Sequence, residues 1–242
     1  MSERKQFIKN QNVEQLKSLI KTNNVITVKN TNMRNFIFCL IAILFLGTGV
    51  YGQSIGEQHN ILVRDVMKEA NFSGSESQEY KRNVVIRIIK EKFGMNQYEV
   101  IDLASKFNDP YLILSTVEKD YSKKLISEVR KDVNFLLTNP TPKQVNSYFD
   151  DRMKNSILDK AELVIYLDLV SIAKSSTTLW NSSEGIDYAN ILVQNSTLKN
   201  EPGAIAAACD MTGALFGSLG GPIFALASAG TASVCSLLNS LK

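Results

Sequence analysis

From Met211 to Leu241 the chain runs 31 residues without a charged side chain, and small residues recur there every four positions: Gly213, Gly217, Gly221, Ala225, Ala229 and Ser233. A GxxxGxxxG run strips side chains from one strip of a helix, so that a second backbone can come close. Such a segment cannot stand in water as a lone helix and has to pack against helices or lipid. It limits what the chain can fold into more than any other stretch, without naming a reaction.

The tail also contains its own turn. Gly220-Gly221-Pro222 breaks a helix, because glycine opens unusual backbone angles and proline cannot continue the hydrogen-bond ladder. The expectation is a helical hairpin within 203–242, with arms from about Ala204 to Leu219 and from Ile223 to Leu238, each short of a full membrane span. Cys209 and Cys235 lie 13 residues on either side of Pro222. In an antiparallel hairpin they sit at matching depth, which makes them a disulfide candidate.

This tail resembles the Gly/Ala-rich, GxxxG-bearing peptides of pore-forming bacteriocins and the glycine-zipper segments of bacterial envelope proteins. The resemblance covers about 35 residues and implies association with a membrane or with other helices. It departs from antibacterial peptides in charge. Those are usually cationic, whereas this tail has only Asp210 and Lys242 at its ends. The alternative reading of the same tail is a buried helical hairpin that completes the bundle, since Ala, Gly and Ser make it less apolar than a typical span.

Charge is unevenly distributed over the rest of the chain. Residues 1–52 carry seven Lys/Arg against two Glu, while residues 53–242 carry twenty Lys/Arg against twenty-two Asp/Glu, so the basic excess belongs to the leader. A nucleic-acid-binding domain needs its basic stripe on the folded body, which argues against such a partner. Within the leader, Met33-Arg34-Asn35 precedes an eleven-residue apolar core, Phe36 to Leu46, followed by small residues up to Gly52. This order matches a secretory signal, with Gly52 and Gln53 flanking the candidate cleavage point. Residues 1–32 are then a basic extension, untranslated if synthesis starts at Met33, and 33–52 a cleaved signal or an uncleaved anchor. Both versions put the body outside the cytoplasm: periplasmic, cell-envelope or secreted if cleaved, membrane-anchored if not. A buried soluble helix is the third reading of the same stretch. Export would remove Cys39 with the signal and leave one cysteine pair.

The body, 57–200, reads as helices throughout. One runs from about Ser77 to Phe93 with Tyr80, Val84, Ile88 and Ile89 on its apolar side, Arg87 and Glu91 paired on the wet side, and Gly94 as its stop. Asn96 and Glu99 form a candidate capping box for the next. Asp109-Pro110 then starts a long helix in which Leu114, Val117, Tyr121, Leu125, Val129, Val133 and Leu136 step by 3, 4, 4, 4, 4 and 3. After Asn139-Pro140, the Thr141/Gln144 capping box opens another, with Val145, Phe149, Met153, Ile157, Ala161, Val164, Leu167 and Val170 on its buried side. These two are expected to lie as a long antiparallel pair, the second one central. Asp168 interrupts its most apolar stretch, as a buried acid or as a polar side facing solvent. Past Ala173 the run Lys174 to Thr178 reads as a return to polar chain, Trp180 as a core anchor or a membrane-interface residue, and Ile186 to Val193 as a short helix ahead of a polar linker.

Reaction signatures fail one after another. His59 is the only histidine and no CxxC pair exists, so no metal site and no cofactor is expected. G-x-S-x-G, G-x-x-x-x-G-K-[ST] and G-x-G-x-x-G patterns are missing, Ser73 to Ser77 reads as linker and cap, and Asp150 and Asp151 diverge by about 100° on a helix. The expectation is therefore an all-α helical bundle ending in a Gly/Ala-rich helical hairpin. Its expected role is that of an exported, non-enzymatic envelope or secreted protein whose tail associates with membrane, with a helical partner or with another copy of itself. Two alternatives stand beside it: a bacteriocin-like effector that inserts the hairpin, and an undetected hydrolase or ligand-binding bundle.

Overall fold

The computed structural model describes residues 54–95, 105, 109–193 and 202–239. The leader with Gly52 and Gln53, the Asn96/Glu99 box and most of the polar linker after Val193 lie outside the described residues. Clustering of contacts divides the chain into Met1–Gln53 and Ser54–Lys242, and all that follows concerns the second unit.

Among the described residues the fold is all-α: α1 Ile55–Ala70, α2 Gln78–Phe93, α3 Pro110–Val117, α4 Lys123–Leu136, α5 Pro142–Lys154, α6 Lys160–Trp180, α7 Ser183–Leu192, α8 Pro202–Ser218 and α9 Pro222–Asn239. Local chemistry sets most of the starts. The Ser54 hydroxyl accepts the Glu57 amide while the Glu57 carboxylate accepts the Ser54 amide, and Thr141/Gln144 and Asp159/Glu162 repeat this reciprocal box. Each cap is worth about 1 kcal/mol. Asn71 and Gly94 end α1 and α2 in the left-handed conformation.

Both expected long helices are broken, which corrects the long antiparallel pair. The first splits into α3 and α4, because Ser122 caps a new start and Tyr121 is taken inward, where its hydroxyl donates to the Leu215 carbonyl at 2.8 Å and meets Ser218. The second splits into α5 and α6 at Asp159, whose carboxylate accepts the Ala161 and Glu162 amides at 2.9 Å. The restart moves the inward stripe to Tyr166, Leu169, Val170 and Ala173, leaving Ile157, Val164 and Leu167 exposed. Asp168 is half-buried there, and burial pushes its carboxyl above the ordinary range. In α2 the buried row is Lys81, Val85, Ile88 and Ile89, with Tyr80 turned out. The Lys81 ammonium is satisfied by the Gly74 and Ile191 carbonyls at 3.1 and 2.6 Å, so a lysine fits a core position. Arg87 and Glu91 pair at 3.3 Å on the wet side, as their spacing implies.

The centre belongs to the tail. Helices α8 and α9 pack on each other, α8 also meets α3, α4 and α6, and α9 meets α1 and α2. From Ala206 to Phe216 and from Ala225 to Leu238 every residue is buried.

Candidate functional site

The small-residue strip faces its own hairpin partner. A β-carbon added at Gly217 would stand 2.2 Å from the Phe224 carbonyl oxygen and 2.8 Å from the Ala225 α-carbon. One added at Gly213 would stand 2.8 Å from the Ala232 methyl and 3.4 Å from the Ala229 α-carbon. The first half of the strip, on α8, thus lies against the second half, on α9, at a separation only glycine permits. Gly221 lies in the turn with φ 103°, a left-handed value that favours glycine.

Three residues before Gly213 sits the single charge of α8 and α9. Asp210 is fully buried, and three side chains from three helices converge on its Oδ2. Ser233, the end of the strip, donates from α9 at 2.9 Å and in turn accepts the Trp180 indole N–H at 3.0 Å. Ser176 donates from α6 over a short contact. His59 Nε2 approaches from α1 at 3.3 Å without forming a hydrogen bond. The other ring nitrogen, Nδ1, lies 3.2 Å from Asn60 Oδ1, and Asn60 Nδ2 donates to the Ser175 carbonyl at 2.7 Å. Close contact of α1 with α6 makes this reach available: a β-carbon on Gly56 would stand 2.1 Å from the Ser171 carbonyl oxygen. Asp210 Oδ1 has no hydrogen-bond partner.

A second polar cluster joins α4, α5 and α6. Asp132 is fully buried; Tyr148 and Tyr166 donate to it at 3.0 and 2.9 Å, and Arg152 Nε stands 2.9 Å away. Burial pushes the Asp132 carboxyl up to about 6, outweighing the nearby guanidinium and the two phenol donors. Arg152 also donates to Glu128 and lies over the Tyr148 ring, which stacks on Phe135 at 3.8 Å.

The sequence reading noted Asp210 and His59 singly and did not bring them together. The polarity of Lys174 to Thr178 predicts chain beyond the end of a helix, whereas α6 continues to Trp180 and carries Ser176 inward. Thr177 and Thr178 return their hydroxyls to carbonyls four residues back, at 2.8 and 2.9 Å, which keeps polar residues inside a helix. A lone acid in an otherwise uncharged helical arm was the signal for a buried partner set. Trp180, 4% exposed, is a core residue.

Both expected disulfide partners are free thiols, a correction to that pairing. Cys235 belongs to the apolar cluster that includes Leu62, Val85 and Ile88, whereas Cys209 lies outside it. Burial pushes both thiols up, Cys235 to about 12. Among the described residues no group of three or more potential ligands could hold a metal ion, and no helix is long and apolar enough to cross a membrane.

Comparison with known protein families, characterised proteins and solved structures finds no match to the chain.

Proposed function

We propose that this is an exported, non-enzymatic helical protein of the cell envelope or the extracellular space, and that its glycine-zipper hairpin, stored in the middle of its own bundle, is the element that associates with membrane. The observation that carries the reading is the way the hairpin is covered. Its flanks are sheathed from both sides, whereas its tip is bare: Leu219 is 41% exposed, Gly220 and Pro222 are exposed, and no charge occurs from Met211 to Leu241 to hold this end in water. An uncharged, uncovered tip is the part of a helical hairpin that meets a lipid surface at least cost. At 17 and 18 residues the arms are about 25 and 27 Å long, under the ~30 Å of a hydrocarbon core, so the reading is of shallow association and not of a span.

Export is supported by the division of the chain. The boundary after Gln53 falls beside the candidate cleavage point, and Ser54 caps the first helix of the body from within, so loss of the leader costs the bundle no cap. The absence of catalysis is supported by the geometry around His59. Its ring nitrogens face Asn60 and Asp210, and the nearby hydroxyls of Ser176 and Ser233 donate to the acid instead of to the imidazole, so no serine is activated.

Flotation with vesicles of mixed zwitterionic and anionic lipid tests the reading. The exported form of the chain should float with the lipid, and Leu219→Lys should weaken that binding about tenfold with helical circular dichroism unchanged. Failure of the wild-type chain to float, or equal flotation of the two proteins, overturns it. Release of entrapped dye in the same samples would point to the effector that inserts its hairpin.

A further inference from the structure

We propose that Asp210, clasped by His59 and Ser176, is the latch that keeps the hairpin inside the bundle. The inference rests on the hairpin being the membrane-associating element, and it adds what restrains it. Asp210 is the one charged residue between Gly203 and Leu238, and it sits fully buried. A buried carboxylate is tolerated only with partners, and here all of them converge on Oδ2. The partners divide according to where they would go. Ser233 belongs to the hairpin and would leave with it, whereas His59 on α1, Ser176 on α6 and the Trp180 N–H that steadies Ser233 belong to the sheath. Withdrawal of the hairpin therefore strips the acid of the Ser176 hydroxyl and of the His59 imidazole, two of the three side chains gathered on Oδ2.

The same charge opposes the other side of the equilibrium. A carboxylate on a helix entering lipid is costly, so Asp210 opposes entry deeper than the tip while it stabilises the stored hairpin. No second charge on α9 shares either task. The latch is also incomplete: Asp210 Oδ1 is buried without a hydrogen-bond partner, a standing cost that keeps the stored state from being bottomless. Asn60 fixes the direction of the histidine. Its carbonyl faces Nδ1 and its amide is held by the Ser175 carbonyl, which leaves Nε2 aimed at the acid.

The test uses Asp210→Asn, His59→Gln and the double variant of the exported chain, with two readouts. Hydrogen exchange in lipid-free buffer reads the latch itself. Amides of α8 and α9 should exchange about tenfold or more faster in each single variant, and the double variant should be barely faster than either, because one interaction is removed twice. Exchange as slow as wild type in both singles, or effects that simply multiply in the double, overturns the latch. Should Asp210→Asn not fold, His59→Gln against wild type carries the same measurement, and unchanged exchange in it is decisive against the proposal. Flotation with anionic vesicles is the second readout, and the faster-exchanging variants should bind about tenfold more tightly. Faster exchange without any vesicle binding leaves the latch standing and sinks the membrane reading, so the two failures are told apart.

Discussion

The hairpin α8–α9 and the corner where α4, α5 and α6 meet are both fully buried at their centres, yet they are held in opposite ways. In the hairpin, backbones touch. The contact depends on missing side chains at Gly213 and Gly217, and a single acid provides its polar specificity. In the corner, long side chains fill the gap between helices, with Tyr148 and Tyr166 donating to Asp132, Arg152 ion-paired with it and Phe135 stacked on Tyr148. The first arrangement has no slack for added volume. The second tolerates changes of shape but responds to charge.

The largest effect that tests this contrast comes from one methyl group. Gly217→Ala puts a β-carbon 2.2 Å from the Phe224 carbonyl oxygen, a backbone atom that cannot move without shifting α9, and the expected cost is about 3 kcal/mol. Gly213→Ala meets the Ala232 methyl at 2.8 Å and should cost less, about 1–2 kcal/mol. Urea unfolding of the two variants measures both. Equal and negligible losses would mean that the hairpin arms are not in backbone contact, and the comparison would collapse.

The hairpin was legible in the sequence, since the recurrence of small residues spans a Gly-Gly-Pro turn, but whether the strip faces its partner arm, the body or lipid was not, because small residues suit all three. The capping signals at Asp109, Thr141 and Gly94 were equally direct, because each acts within four residues of itself. Helix length was not legible. The hydrophobic step from Leu114 to Leu136 is as regular as in one continuous helix, yet Tyr121 leaves the ladder for the Leu215 carbonyl, a partner 94 residues away. The same limit hid the Asp210 cluster, whose members come from positions 59, 176, 210 and 233, and the Asp132 corner, where nothing local ties Tyr166 to an acid 34 residues earlier. Periodicity shows which side of a helix is buried. It does not show which polar side chains meet there.

The corner should show the next largest effect, and it should be read against pH. The Asp132 carboxyl is pushed up to about 6 by burial, whereas in an unfolded chain it titrates near ~3.9. A group raised on folding contributes stability that is fully present below the unfolded value and is lost as pH rises through the folded one. The wild-type chain should therefore lose stability, on the order of 2–3 kcal/mol from this group, between about pH 4 and pH 6.5. Carboxylates held low, such as Glu128 and Asp150, contribute with the opposite sign, so the informative quantity is the difference from Asp132→Asn, whose curve should lack the fall. Parallel curves for the two proteins would deny the corner its sensitivity to charge. Gly217→Ala, by contrast, should shift the whole curve without changing its shape.

The smallest expected effect sharpens the account of the hairpin. If backbone approach holds the two arms, no covalent clamp is needed, and Cys209 and Cys235 should remain thiols in the folded chain. Both are fully buried, and burial raises both above the ordinary thiol range, so the reactive thiolate is scarce at neutral pH. Alkylation with iodoacetamide should then proceed only as fast as the hairpin opens, and it should complete at both sites once urea unfolds the chain. A thiol reductant should leave the melting temperature unchanged. A drop of several degrees on reduction, with mass spectrometry of the unreduced exported chain showing two fewer hydrogens, would mean that a disulfide shares the work now assigned to Gly213 and Gly217. The β-carbon clashes at those glycines would then no longer account for how tightly the arms are joined.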